Sequence, residues 1–115
     1  MAITIYHNPR CSKSRQTLQL LQDNNIDAAV VQYLNEPLSA EQINTLLGQL
    51  NMTARQLMRV KDALYKELNL KDDSLSEDQL IQAIADNPKL MERPVVVNGD
   101  AAKIGRPPEQ VLELF

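Results

Sequence analysis

The sequence holds one cysteine and one histidine in 115 residues. A lone cysteine excludes an intramolecular disulfide, and with a single histidine beside it there is no ligand set for a zinc site. Long apolar runs are missing too, since nothing approaches the ~20 residues that a membrane helix needs. The opening "MAITIYHNPR" follows its short apolar stretch with basic residues instead of a small-residue cleavage site, so it does not read as a secretion signal. Positive charge is also scarce overall. A net charge of −3 leaves no broad basic surface of the kind nucleic-acid binding requires. These absences point to a soluble protein of the reducing cytosol, with no metal, no membrane and no nucleic acid among its partners. The length suits a single domain, residues 1–115, that buries its core without a covalent staple.

What basic charge there is gathers early. The first acidic residue is Asp23, so Arg10, Lys13 and Arg15 stand unopposed in the segment "HNPRCSKSR", residues 7–15, which also holds Cys11 and His7. A cysteine that merely fills space has apolar neighbours; Cys11 has Arg10, Ser12, Lys13, Ser14 and Arg15. A local basic pocket on an acidic protein suits a small anion better than a polyanion.

The pattern of the chain is α/β. "ITIY", residues 3–6, reads as a strand ending at the Asn8-Pro9 turn. "SKSRQTLQLLQDNN" after Cys11 reads as a helix with Leu18, Leu20 and Leu21 on its apolar face. "AAVVQYL", residues 28–34, reads as a second strand, which makes a βαβ unit with a parallel pair. About 36–91 turns helical, with Ser39 and Gln42 forming a capping box, Thr53 a further cap, and Ser76 with Gln79 a third start. "PVVV" (94–97), a turn at Asn98-Gly99-Asp100 and "AAKI" (101–104) predict an antiparallel hairpin. "EQVLELF" then predicts a short amphipathic helix opened by Pro107 and Pro108. The expected architecture is a small mixed sheet with a helical insertion between the second and third strands.

If the first helix starts at Cys11, its unpaired N–H groups and dipole favour the thiolate, the nucleophilic form. Ser14, one turn on, is placed to donate a hydrogen bond to the sulfur. His7, across the loop, is placed to add charge or accept a proton. The loop amides also suit a tetrahedral oxyanion. A dithiol oxidoreductase needs Cys-x-x-Cys, and the fourth position here is Ser14; a tyrosine-phosphatase-like loop needs arginine six residues after the cysteine, and the chain has Thr17. A single-thiol site remains, and any second thiol must come from another molecule.

Taken together, "ITIYHNPRCSKSRQTL", "ARQLMRVKDALYKELNL", "LIQAIADNPKLMERPVVV" and "IGRPPEQVL" resemble, in order along nearly the whole chain, the glutaredoxin-dependent arsenate reductases of bacteria. The resemblance implies a thioredoxin-like fold, with the Arg93-Pro94 bond cis beside the thiol. It implies that Cys11 attacks arsenate, that His7 and Ser14 help activate the thiol, and that Arg59, Arg93 and Arg106 bind the oxyanion. Glutathione as co-substrate and glutaredoxin as partner then complete the reduction to arsenite, with no cofactor bound. Arg10 is expected to act mainly through its field. Two alternatives stay open: a monothiol glutathione-dependent thiol-transferase, which leaves the three arginines without a common task, and a thioredoxin-like regulatory binding protein, whose Cys-x-x-Cys switch Ser14 would break.

Overall fold

A computed structural model describes residues 3–115; residues 1 and 2, where the expected domain begins, lie outside the described residues. Two compact units emerge, one running up to Glu36 and resuming over Arg93–Phe115, the other formed by Pro37–Glu92. No helix among the described residues is long and apolar enough to cross a membrane.

The first unit carries a mixed sheet of β1 (Ile3–Tyr6), β2 (Ala29–Val31), β3 (Val95–Asn98) and β4 (Ala101–Ile104) in the order β2-β1-β3-β4. β1 pairs parallel with β2 and antiparallel with β3, so the predicted βαβ opening and C-terminal hairpin share one sheet. The crossover is α1 (Ser12–Asp23). Ile5 and Val96 lie opposite each other in the ladder and are fully buried with Leu21 of α1 and Val111. Burial of four such side chains contributes about 1.5–3 kcal/mol each. The hairpin closes through Gly99 with φ 62, the sign that primed two-residue turns require at their first position.

Three boundaries depart from the sequence reading, each for a local reason. β2 covers 29–31 instead of 28–34, because the N–H groups of Asn35 and Glu36 both return to the Gln32 carbonyl and turn the chain after Val31. β3 starts at Val95, one residue late, since Pro94 has no N–H to give the ladder. The closing segment Pro108–Leu114 is a 3-10 helix and not an α-helix. Pro108, Val111 and Leu114 are spaced by three, which 3-10 winding stacks on one face; Pro108 and Val111 are buried and Leu114 packs on the core.

The second unit is helical: α2 (Ala40–Leu50), α3 (Ala54–Leu57), α4 (Ala63–Glu67), α5 (Glu77–Asp86) and a 3-10 turn at Pro88–Leu90. Capping boxes at Ser39/Gln42, Thr53/Gln56 and Ser76/Gln79 start three of these helices. Ile43, Leu46 and Leu47 from α2 and Leu80, Ile81 and Ile84 from α5 are buried there, as are Leu57, Leu90 and Met91. Arg55 Nη2 ties down the loop after α4 through the Leu70 and Asp72 carbonyls, at 2.9 and 3.1 Å.

Candidate active site

Register decides what meets at the end of the sheet. Tyr6 pairs with Val95 and Val95 with Ile104, so the exit of β1, the entry of β3 and the exit of β4 lie side by side. The residues just beyond those ends are the His7–Cys11 loop, Arg93-Pro94, and Gly105-Arg106. Sequence-distant side chains are thereby brought to one place.

Asn8 organises the loop. Its carbonyl accepts the Cys11 N–H at 3.0 Å, its Oδ1 accepts the Arg10 N–H at 3.0 Å, and its own N–H donates to Ser14 Oγ at 3.0 Å. Arg15 Nη1 adds a bond to the Pro9 carbonyl at 3.0 Å. Asn8 is buried, so these bonds are shielded from water and cost more to break than surface ones. This role was not visible in the sequence; the Asn-Pro step after a strand is its only local trace.

Cys11 is the N-cap of α1, with φ −94 and ψ 124, and its carbonyl accepts the first helical bond from the Arg15 N–H at 3.0 Å. The thiol is free and partly exposed. Its sulfur makes no directed capping bond. Burial pushes the thiol pKa up, but the N–H groups of Ser14 and Lys13 and the Arg93 guanidinium outweigh it and hold the thiol below its ordinary value. Alkylation of Cys11 is therefore expected to titrate with a midpoint below the ~8.5 of a free thiol. A pH series with iodoacetamide checks this; a midpoint at or above that value would contradict it.

The structure places Ser14 and His7 side by side within the loop. The Ser14 hydroxyl lies 2.7 Å from His7 Nδ1 and accepts from Asn8, so it is engaged inside the loop, and its backbone N–H is the group that favours the thiolate. Burial, and then Arg15, lower the His7 pKa, which leaves the ring neutral near pH 7 and not a source of positive charge. Both side chains are buried, so the pair sets the loop's shape.

The positive charge at the sulfur comes from Arg93 and Arg106. Arg106 Nη2 stands 3.7 Å from Cys11 Sγ, and its Nε donates to the Arg93 carbonyl at 2.9 Å. Arg93, half-buried, is itself opposed by burial but favoured in its charged form by the Cys11 thiolate and the Tyr33 phenol. Its Nε is buried and has no hydrogen-bond partner among the described residues, a donor that a bound oxyanion would satisfy. The Arg93-Pro94 peptide bond is cis, as is Arg106-Pro107, which the sequence reading did not consider. Arg59 belongs to the helical unit, where its Nη1 lies 3.4 Å from Asp62 Oδ2 and its N–H donates to the Leu90 carbonyl at 2.6 Å. Among the described residues no group of three His, Cys, Asp or Glu side chains is disposed to hold a metal.

Gly105 sets the approach of Arg106. A Cβ at this position would lie 2.5 Å from Thr17 Oγ1 and 2.8 Å from Pro94 Cγ, while the Gly105 N–H donates to the Pro94 carbonyl at 2.9 Å. Gly105→Ala is expected to cost about 1–3 kcal/mol through overpacking and to shift Arg106 away from the sulfur. The Tm is expected to fall; an unchanged Tm in thermal unfolding would contradict the packing.

A four-stranded mixed sheet with one thiol at the first helix N-terminus and a cis proline opening the third strand is a thioredoxin-like arrangement with a monothiol site. Residues 6–114 match the model of the ArsC family, and the chain belongs to that family. An uncharacterized protein of Escherichia coli, YfgD, is 62% identical over 113 residues, 97% of this chain and 95% of that one. An arsenate reductase of Haemophilus influenzae is 49% identical over 116 residues, covering 100% of both chains. The solved structure of an arsenate reductase from Vibrio cholerae superimposes with a TM-score of 0.97 at 52% identity, covering 100% of this chain and 98% of that one.

Proposed function

We propose that the protein reduces arsenate to arsenite through Cys11, with glutathione and glutaredoxin as the source of electrons. The observation that carries this reading is the placement of Arg106 at 3.7 Å from the Cys11 sulfur with the Arg93 carbonyl as its anchor, so that nucleophile and oxyanion donors share one point. The Cys11 thiolate attacks arsenic and an oxygen leaves as water, with the arginines neutralising charge on the remaining oxygens. The glutathione sulfur then displaces a second oxygen from arsenic; that oxygen leaves as water carrying the thiol proton, and both sulfurs are held on pentavalent arsenic. The glutaredoxin thiolate then attacks the glutathione sulfur, the electron pair of the S–As bond passes to arsenic, and glutathione and glutaredoxin leave joined as a mixed disulfide. Water releases arsenite from Cys11 and restores the thiol.

Arg59 is assigned to the oxyanion on the resemblance, and His7 and Ser14 support the thiol by shaping the loop that presents it. The chain has no second cysteine to resolve an intermediate, so the external reductant is obligatory. Purified protein with arsenate, glutathione and glutaredoxin is expected to turn over many times, to stop when glutathione or glutaredoxin is omitted, and to gain little from thioredoxin alone. Equal turnover with thioredoxin alone would contradict the assignment of the reductant. Rapid reduction of glutathione mixed disulfides without arsenate turnover would instead make the protein a thiol-transferase.

A further inference from the structure

Tyr33 is completely buried, at 0% exposure. A phenol taken into the interior is costly unless its hydroxyl is used there. The strand register shows where that hydroxyl is carried. Tyr6 pairs with Val31 on one side and with Val95 on the other. Tyr33 therefore stands two residues beyond the end of β2 and Arg93 two residues before the start of β3, on either side of the loop that leaves β1. The backbone around Tyr33 is fixed from both directions. The His7 N–H donates to the Val31 carbonyl at 2.8 Å, and the Asn35 and Glu36 N–H groups close on the Gln32 carbonyl at 2.9 and 3.0 Å. Tyr33, Arg93 and Cys11 all belong to the first unit.

Arg93 connects this buried phenol to the thiol. Its carbonyl anchors Arg106 Nε at 2.9 Å, and its half-buried guanidinium engages both the Cys11 sulfur and the Tyr33 phenol. A guanidinium presents its N–H donors in a rigid planar fork, so two contacts on different partners fix the plane of the whole group. With the sulfur alone as partner, the long arginine side chain would keep more of its rotamer freedom. We propose that Tyr33 is a positioning residue of this site: its hydroxyl fixes the Arg93 guanidinium against Cys11 and so leaves the buried Arg93 Nε in place for an oxyanion. The oxyanion half of this inference rests on the reading of the protein as an arsenate reductase, whereas the effect on the thiol stands without it. Tyr33 acts through Arg93, and removal of Arg93 should therefore leave its hydroxyl without a task at the thiol.

Tyr33→Phe tests this, because it removes the hydroxyl and keeps the ring that fills the core. In the full chain it is expected to raise the midpoint of Cys11 alkylation by about half a pH unit and to lower kcat/KM for arsenate about 3- to 10-fold, the scale of one hydrogen bond. Made in an Arg93→Ala background, the same change should move neither quantity. A phenol that only fills the core would lower Tm in both backgrounds and leave the midpoint where it was; that pattern, or a midpoint shift of equal size in both backgrounds, overturns the proposal. The wild-type protein gives an independent reading. A guanidinium held at two points rotates slowly, so the Arg93 Hη protons should give separate NMR signals that merge in Tyr33→Phe; merged signals in wild type overturn the positioning role even if the variant does not fold. Failure of wild type to reduce arsenate would sink the reductase reading instead, and the alkylation midpoints, measured without arsenate, would still decide the task of Tyr33.

Discussion

Cys11→Ser is expected to abolish arsenate turnover by several orders of magnitude while leaving the fold as stable as before, or more so by up to about 1 kcal/mol. The two halves of this result have separate causes. Cys11 is the N-cap of α1, yet its sulfur forms no directed capping bond, whereas a serine hydroxyl is among the best acceptors for the N–H groups of a first helical turn. The Asn8 and Arg15 bonds that hold residue 11 use backbone atoms and survive the change. Chemistry does not survive it. The N–H groups of Ser14 and Lys13 and the Arg93 guanidinium that hold the thiol below its ordinary pKa act against burial, and the same field cannot ionise an alcohol at neutral pH. Turnover and thermal unfolding measured on one preparation check both halves. Retained activity would remove the covalent step.

Arg93→Ala and Arg106→Ala are each expected to reduce kcat/KM for arsenate by about 10²-fold, the scale of removing one preorganised donor from a developing charge. Their effects should not be identical. Arg93 acts on the thiol directly, so its loss should also raise the Cys11 alkylation midpoint. Arg106 is exposed and reaches the sulfur at 3.7 Å from an anchor on the Arg93 carbonyl, and its loss should weaken the anion more than it alters the thiol. Lysine at either position should rescue only in part, since an ammonium lacks the planar fork that holds two oxygens at once. Steady-state kinetics in arsenate check these values, and wild-type behaviour of either alanine variant would contradict the shared oxyanion role.

Much of the fold was legible because it depends on short-range rules. The Ser39/Gln42 and Ser76/Gln79 capping boxes and the Thr53 cap follow from residues three apart, and all three start helices where the spacing placed them. The alternation in "ITIY" and the Gly99 turn placed β1 and the hairpin for the same reason. The short α4 carries no buried side chain, so no apolar period marks it. "EQVLELF" predicts a short amphipathic helix, and the threefold spacing of Pro108, Val111 and Leu114 is what 3-10 winding aligns there.

At the site, Cys11 was legible as a helix-opening thiol among basic residues, and that is where α1 begins. The duties of its neighbours were not. Sequence proximity put the Ser14 hydroxyl on the sulfur, but His7 and the Asn8 N–H claim it, a contact across six and seven residues that only the folded loop creates. Gly105 matters because Thr17 and Pro94 crowd it, and neither is near in sequence. Arginines separated by 13 residues converge only because β3 and β4 are antiparallel with Val95 opposite Ile104.

The convergence of Arg93 and Arg106 on a reactive Cys11 is tested most directly by the rate of Cys11 alkylation as arsenate is titrated at constant ionic strength. The expected result is saturable slowing by arsenate, weaker slowing by phosphate or sulfate, and loss of most protection in Arg93→Ala and Arg106→Ala. An alkylation rate that responds to arsenate no more than to matched chloride would mean that the arginines hold no oxyanion over the thiol.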